Sequence, residues 1–290
     1  MASLKEIKNR IASVKSTRQI TSAMKMVSSA KLHKAQGQVE SMWPYQQQLD
    51  GILKRLLAAG VEVHSPYVVA RKEVSRVTVV IFSSNASLCG AYNANIIKQL
   101  ESVVAEYRHR GVEKLYIYPV GKKVEEAVRK MGLPYEPGLQ QLADKPSYPA
   151  AYDLADRLMH AFVTHEVDEI RLIYHHFKSA GSQILLNEKF LPLNLFEVGD
   201  KSTSGFVNNY IIEPSAEELL AQLLPTVLRQ KMFTVALDAH TSEHAARMLA
   251  MQTATDNATD LIQDLTKQYN KGRQQAITNE LLDIVAGSGK

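Results

Sequence analysis

The two ends of this chain carry long helical patterns whose apolar stripes neither end can bury alone, and that requirement limits the fold more than any single residue. In the first 57 residues, Ser3 and Glu6 form the capping-box pairing, in which the serine oxygen takes one orphan backbone N–H and the glutamate returns to another. A helix is therefore predicted from Leu4. Leu4, Ile7, Ile11 and Val14 recur at spacings of three, four and three, the seam of a helix that packs along another helix. Between Thr17 and Ser28, Arg18, Thr21, Lys25 and Ser28 fall where that seam should continue, while Ile20, Met24 and Val27 sit beside it. This predicts a sliding contact stripe, tightened again by Leu32, Val39 and Met42. Helical from Ser3 to Leu57, the segment would measure about 80 Å at 1.5 Å per residue, with Pro44 kinking it rather than ending it.

The last 80 residues repeat this grammar. Ser215 and Glu218 make a second capping box after Pro214, and Leu219, Leu220, Leu223 and Leu224 open an apolar face. Pro225 predicts a kink or a brief break. From Thr226 to Ala286 there is no further Pro and one glycine, Gly272. Met248, Met251, Thr255, Ala258, Ile262, Leu265 and Tyr269 alternate by three and four, and a slip of one residue would let Ile277, Leu281 and Ile284 resume the pattern. The simplest burial of both stripes is on each other, antiparallel, with the middle of the chain inserted at one end.

A chain of 290 residues with 45% hydrophobic and 22% charged content is an ordinary globular composition, and its length suggests two domains. The longest apolar run, Val77 to Phe82 with Thr78 inside, is far short of the ~20 residues that cross a bilayer, and the N-terminus is charged where a signal peptide would be apolar. A single cysteine, Cys89, excludes an intrachain disulfide and fits a reducing compartment. The net charge of +4 is unevenly spread: Lys5, Lys8, Arg10, Lys15, Arg18, Lys25, Lys31 and Lys34 stand against Glu6 alone in residues 1–34. Such a stripe is either a solvated face or one that seeks an acidic neighbour.

The middle reads as α/β. Arg76 to Ser83 is β-branched enough for a buried strand, and its loop leads to a helix from Ala94 to His109. Further strands are predicted at Leu115 to Val120, Glu169 to Phe177 and Gln183 to Leu191, with helices at Lys122 to Met131 and Ala150 to His165. Strand and helix alternate, so the expected fold class is α/β plus a long α-helical antiparallel coiled coil, the middle being a mostly parallel, Rossmann-like sheet with helices on its faces. The expected division is 1–59 and 209–290 as one discontinuous coiled-coil domain and 75–200 as the α/β domain. Gly60 to Val74 and Val198 to Asn208 are the expected linkers.

No sequence motif for chemistry stands out in the middle. The phosphate-cradling G-x-x-x-x-G-K-[ST] is missing, as is G-x-G-x-x-G after the first strand. Cys89 sits on a strand-to-helix loop where a nucleophile could be presented, but a small buried thiol is the expected role. His240, Glu243 and His244 match H-x-x-E-H, the inverted zinc-protease pattern, yet inside a coiled-coil leg that offers no shelter for a third ligand and an attacking water. His165 and Glu166 start like the other zinc-protease motif and then lack its second histidine. His175 and His176 lie on a strand and point to opposite faces, so they cannot chelate together. Neither a catalytic residue, nor a metal site, nor a cofactor is predicted.

Three stretches carry a family resemblance: KNRIASVKSTRQITSAMKMVSSAKLHK from Lys8 to Lys34, SNASLCGAYNAN from Ser84 to Asn95, and the run Ser242 to Val285 with SEHAARMLAMQTATDNATDLI and YNKGRQQAITNELLDIV. They strongly resemble the gamma subunit of the F-type ATP synthase, and the resemblance extends over the whole chain. It implies a bacterial-type, non-catalytic rotor shaft that couples rotation of a proton-driven membrane ring to ATP synthesis or hydrolysis on beta subunits. The implied partners are the alpha and beta subunits, the epsilon subunit and the membrane c-ring, not nucleic acid. The implied place is the cytoplasmic face of the inner membrane, as a peripheral protein held there by the complex. It also implies contact positions toward beta subunits: Met24 with Lys25 beside it, and Arg247, Arg273, Gln274 and Thr278. Where the family loop reads closer to S-D-R-G-L-C-G-G, Asn85, Ala86, Ser87 and Ala91 replace four of those types. A different class of reading, a basic coiled-coil arm that binds nucleic acid, would show itself by salt-sensitive binding without any ATPase partner.

Overall fold

The structure is a computed structural model that describes residues 3–58, 65–69, 71, 73–193 and 215–288. Among the described residues ten elements follow in order: α1 (Leu4–Ala58), β1 (Arg76–Phe82), α2 (Tyr92–His109), β2 (Lys114–Val120), α3 (Lys122–Lys130), α4 (Gln140–Asp144), α5 (Tyr148–Val163), β3 (Glu169–Ser179), β4 (Ser182–Leu191) and α6 (Ala216–Ser288). The chain divides into two compact units, Met1–Ala30 with Arg247–Lys290 (unit 1), and Lys31–Ala246 (unit 2).

The first capping box forms in full, and the serine half of the second forms. The Glu6 N–H donates to Ser3 Oγ at 3.2 Å and the Ser3 N–H to Glu6 Oε2 at 2.8 Å, and α1 begins at Leu4. The Glu218 N–H donates to Ser215 Oγ at 3.2 Å, and α6 begins at Ala216. Ser3→Ala should free the first turn of α1 at a cost of about 1 kcal/mol, read as faster amide exchange at Glu6; unchanged exchange there would count against the cap. Pro225 does not break α6, contrary to one expectation. The turns on either side are buried, Leu220, Leu223 and Leu224 against Leu49, Leu53 and Leu56 of α1, and Leu228 in the sheet core. Burial on both flanks holds the helix through a proline whose interior cost is about 3 kcal/mol.

Within unit 2 the sheet runs β2-β1-β3-β4, with β1 parallel to β2 and β3, and β4 antiparallel to β3. This is the mostly parallel sheet expected. Side chains alternate across it. Val80, Phe82, Val120, Ile170 and Leu172 face one core with Leu154, Leu158 and Phe162 of α5 and with Leu228, Met232, Val235, Ala236 and Ala239 of α6. Val77, Val79, Ile81, Ile117 and Ile173 face the other, with Ile96, Leu100 and Tyr107 of α2 and Val124 and Val128 of α3. The short α4 was not predicted. Of the expected linkers, 198–208 lies outside the described residues, and the described part of 60–74 carries no helix or strand.

Unit 1 is a pair of antiparallel helices. Thr21 Oγ1 and Thr255 Oγ1 lie 2.8 Å apart, and a Cβ on Gly272 would stand 3.1 Å from Leu4 Cδ2. The two pairs are 17 residues apart on each helix, so one register holds between them. On the part of α1 in unit 1, Leu4, Ile7, Ile11, Val14, Arg18, Thr21, Lys25 and Ser28 are buried or half-buried in an unbroken three-four alternation, with Ser22 and Met24 half-buried beside it. The expected sliding stripe is therefore corrected: the seam keeps its phase through polar residues and leaves Ile20 and Val27 each 58% exposed. On α6 the seam likewise continues from Tyr269 to Gly272 and Ala276 without the expected slip, and Ile277, Leu281 and Ile284 are exposed. The cause is where α1 begins: Leu4 faces Gly272, so the rest of α6 has no turn of α1 opposite it.

Candidate functional site

Open α/β sheets bind ligands beyond the carboxyl ends of their strands, where helix N-termini present free N–H groups. In unit 2 that place is filled by the chain itself. The first N–H groups of α3 are taken by the loop after β1: Lys122 N–H by Asn85 Oδ1 at 2.9 Å, Lys123 N–H by the Ser84 carbonyl at 3.1 Å, and Val124 N–H by Ser83 Oγ at 3.0 Å. Asn85 also donates from Nδ2 to the Gln140 carbonyl at 2.9 Å, so this loop residue ties α3 to α4. Ser84 and Asn93 hold one another, and Asn93 Nδ2 donates to Cys89 Sγ at 3.1 Å. Cys89 is 2% exposed, a buried thiol packed among its loop neighbours as expected from its type.

The helix α6 closes the same edge. Tyr92 donates to the Ala239 carbonyl at 3.0 Å, and Ser242 donates to the His175 carbonyl at 2.9 Å. His175 stacks on Tyr92 with ring centroids 4.4 Å apart, and burial pushes its pKa down to about 4. His176 turns elsewhere, to Asp238 Oδ2 at 2.5 Å, while Asp238 Oδ1 accepts the Phe177 N–H at 2.7 Å. Burial raises the Asp238 pKa, and the hydrogen bonds from His176 and Phe177 oppose that rise. In H-x-x-E-H, His240 Nδ1 is 3.1 Å from the Ala143 carbonyl, and the His240 and His244 rings pack edge to face at 4.5 Å. Among the described residues no group of three His, Cys, Asp or Glu side chains is arranged to hold a metal.

At the opposite end of the sheet, Asp168 fastens the chain where it enters β1. It accepts the N–H groups of Ser75 and Arg76 at 3.1 and 2.9 Å and the Arg76 guanidinium at 3.0 Å. Burial alone would raise its pKa, and these hydrogen bonds outweigh that and hold it below the usual carboxylate range.

The six contact positions expected from the resemblance all fall in unit 1, in different settings. Met24 and Lys25 are half-buried, Lys25 as a seam position and Met24 beside it. Arg247 is 8% exposed, so its side chain is largely withdrawn from solvent. Arg273, Gln274 and Thr278 are exposed on the part of α6 that runs past Leu4, and Thr278 Oγ1 donates to the Gln274 carbonyl at 2.9 Å. Gln274 and Thr278 share a helical face with Ile277, Leu281 and Val285, which are 48%, 58% and 69% exposed. Leu282 belongs to that face too, and sequence reasoning missed it, as it missed the exposure of Ile20, Met26 and Val27. A strict three-four count onward from Leu4 would have placed those three off the seam. Of the basic stripe, Lys5, Lys8, Arg10, Lys15, Lys31 and Lys34 are exposed, whereas Arg18 and Lys25 are half-buried in the seam.

A family profile described as ATP synthase matches residues 3–289. The ATP synthase gamma chain of Bacteroides thetaiotaomicron is 61% identical over 297 residues, covering 99% of both chains. The chain belongs to the ATP synthase gamma-chain family. Two solved structures share its fold at lower identity. One is from the OSCP/F1/c-ring part of the Euglena gracilis mitochondrial ATP synthase, with TM-score 0.63, 20% identity and coverage of 98% of this chain and 92% of that one. The other is from the central stalk and c-ring of the Tetrahymena thermophila enzyme, with TM-score 0.59, 22% identity and coverage of 81% and 99%. The nucleic-acid alternative finds no support among these relatives.

Proposed function

We propose that the chain is the central-stalk rotor of a bacterial F-type ATP synthase, transmitting rotation of a membrane c-ring to the catalytic beta subunits without an active site of its own. The observation that carries this reading is the end of α6, which runs past the start of α1 and exposes an apolar face edged by Gln274 and Thr278. A single helix with that face is stable only inside an enclosing surface. The filled α3 N-terminus supports the absence of catalysis, since the groups that would cradle a nucleotide phosphate already have partners.

The division of labour follows the sequence: 1–59 and 209–290 form one discontinuous coiled-coil domain that turns in the alpha and beta ring, and 75–200 form the α/β domain that meets the epsilon subunit and the c-ring. The protein works at the cytoplasmic face of the membrane as a peripheral subunit; among the described residues no helix is long and apolar enough to cross a bilayer. Two unlike helices make an asymmetric axle, so repeated beta subunits meet different faces and their nucleotide affinities are biased differently. A symmetric rod would shift no population.

Arg273, Gln274, Thr278, Met24 and Lys25 are the proposed contacts with beta subunits, with exchangeable polar groups suited to a part that must slide. Arg247 belongs to the set on condition that its buried side chain swings outward as a beta subunit closes. Replacing Arg273 and Gln274 together by Ala should lower ATP-driven proton pumping relative to ATP hydrolysis several-fold, on the order of the loss of two interface contacts. Pumping and hydrolysis in inverted membrane vesicles read this ratio. Failure of the tagged chain to copurify with alpha and beta subunits would refute the rotor reading outright.

A further inference from the structure

We propose that α1 carries two alternative seams in unit 1, and that the free chain turns this stretch of α1 by one residue to exchange the polar seam seen here for an apolar one. Thr21, Lys25 and Ser28 are spaced four and three, and so are Ile20, Met24 and Val27 one residue earlier. One residue is a rotation of about 100° on a helix. In the arrangement described, Thr21 is 9% and Ser28 3% exposed, while Ile20 and Val27 stand 58% in water. The constant register set by Thr21–Thr255 and Leu4–Gly272 places Met251 across from Lys25 and Met248 across from Ser28. Two methionines therefore oppose polar residues, and after the rotation they would oppose Met24 and Val27.

A pair of threonines marks the polar seam. The Thr21 and Thr255 hydroxyl oxygens lie 2.8 Å apart, and each also reaches a carbonyl of its own helix, Arg18 at 3.1 Å and Met251 at 2.7 Å, so two hydroxyl hydrogens serve three contacts and the bond across the seam competes with a local one. Against it stand Ile20 and Val27 on the outer face, with Met24 half-buried between them. A protein surface lying over Ile20 and Val27 favours the polar seam, and water over them favours the exchange. The change of phase is absorbed on each side of the stretch, between Val14 and Ile20 and after Val27, where Ser16, Thr17, Ser28 and Ser29 are small. A local tightened or widened turn accomplishes it. The inference rests on the rotor reading only for the identity of the covering surface.

The test uses the free full-length chain in a Cys89→Ser background, with Ser28→Cys as the probe and its alkylation rate as the readout. This probe leaves Ile20, Met24 and Val27 in place. The expected result is rapid alkylation that slows on the order of ten-fold when Ile20→Gln and Val27→Gln are added, because the outer face then has no reason to turn inward. Simple fraying of the helix would not be rescued by that pair. Protection of the probe without the Gln substitutions, or rapid alkylation with and without them, overturns the proposal. Because no partner subunit is present, failure here leaves the rotor reading to its own copurification test.

Discussion

Gly121→Ala should destabilise the protein by more than about 3 kcal/mol, a loss in the range of a badly overpacked core position. Gly121 has φ +111°, and a Cβ there would lie 2.3 Å from the Ser83 carbonyl oxygen and 2.7 Å from Ser83 Oγ. The clash is with backbone on one side, so it cannot be relieved by a rotamer. Moving Ser83 would break the bond from its own N–H to the Val120 carbonyl at 2.7 Å and the bond it accepts from Val124 at 3.0 Å, unseating α3. Gly132→Ala is the control: φ is +67° with no atom within 4 Å of the added Cβ, so backbone strain alone applies, about 1 kcal/mol. Urea midpoints of the two variants measure the difference. Equal losses would mean that the contact with Ser83 is not what demands glycine.

Acidification should cost stability through His175. Its folded pKa is lowered to about 4 from an ordinary 6.5 by burial. The unfolded chain therefore takes up a proton between these values while the folded chain does not, and stability falls as pH drops from 6.5 toward 4. The full effect of this one group is about 3 kcal/mol, reached below the folded pKa, and it vanishes above pH 7. His175→Phe keeps a ring against Tyr92 but cannot be charged, so its stability should depend less on pH through this window. Other groups titrate in both proteins and cancel in the comparison. Parallel pH dependences for parent and variant would show that His175 is not held neutral by the fold.

The outline of the fold was legible because its signals are local. Ser3 with Glu6 and Ser215 with Glu218 fixed both helix starts, and β-branched runs located four strands to within a residue or two. Two features were misread for one reason. Sequence periodicity assumes that apolar residues go to the seam, but Ile20 and Val27 lie outside it and Arg18 and Lys25 lie in it, because the distal register of α1 is continued rather than reset. The slip expected at Ile277 failed because a local pattern carries no information about where the facing helix starts, and Leu4 opposite Gly272 is what ends the pairing. The contact positions came from family resemblance rather than from physics. The burial of Arg247 had no signal in the sequence, since a charged residue withdrawn from water is a product of packing around it.

One face of the sheet is completed by α6, through Leu228, Met232, Val235, Ala236 and Ala239 against Val80, Phe82 and Leu172. These partners are far apart in the order of synthesis. A ribosome making this protein finishes the four strands of this sheet before it makes the helix that completes their cover, so one apolar side of the nascent sheet is covered by α5 alone until Ala239 has emerged. The product closes its globular part and gains its axle in one terminal step, and truncated chains that lack α6 are left with a sticky, half-dressed sheet.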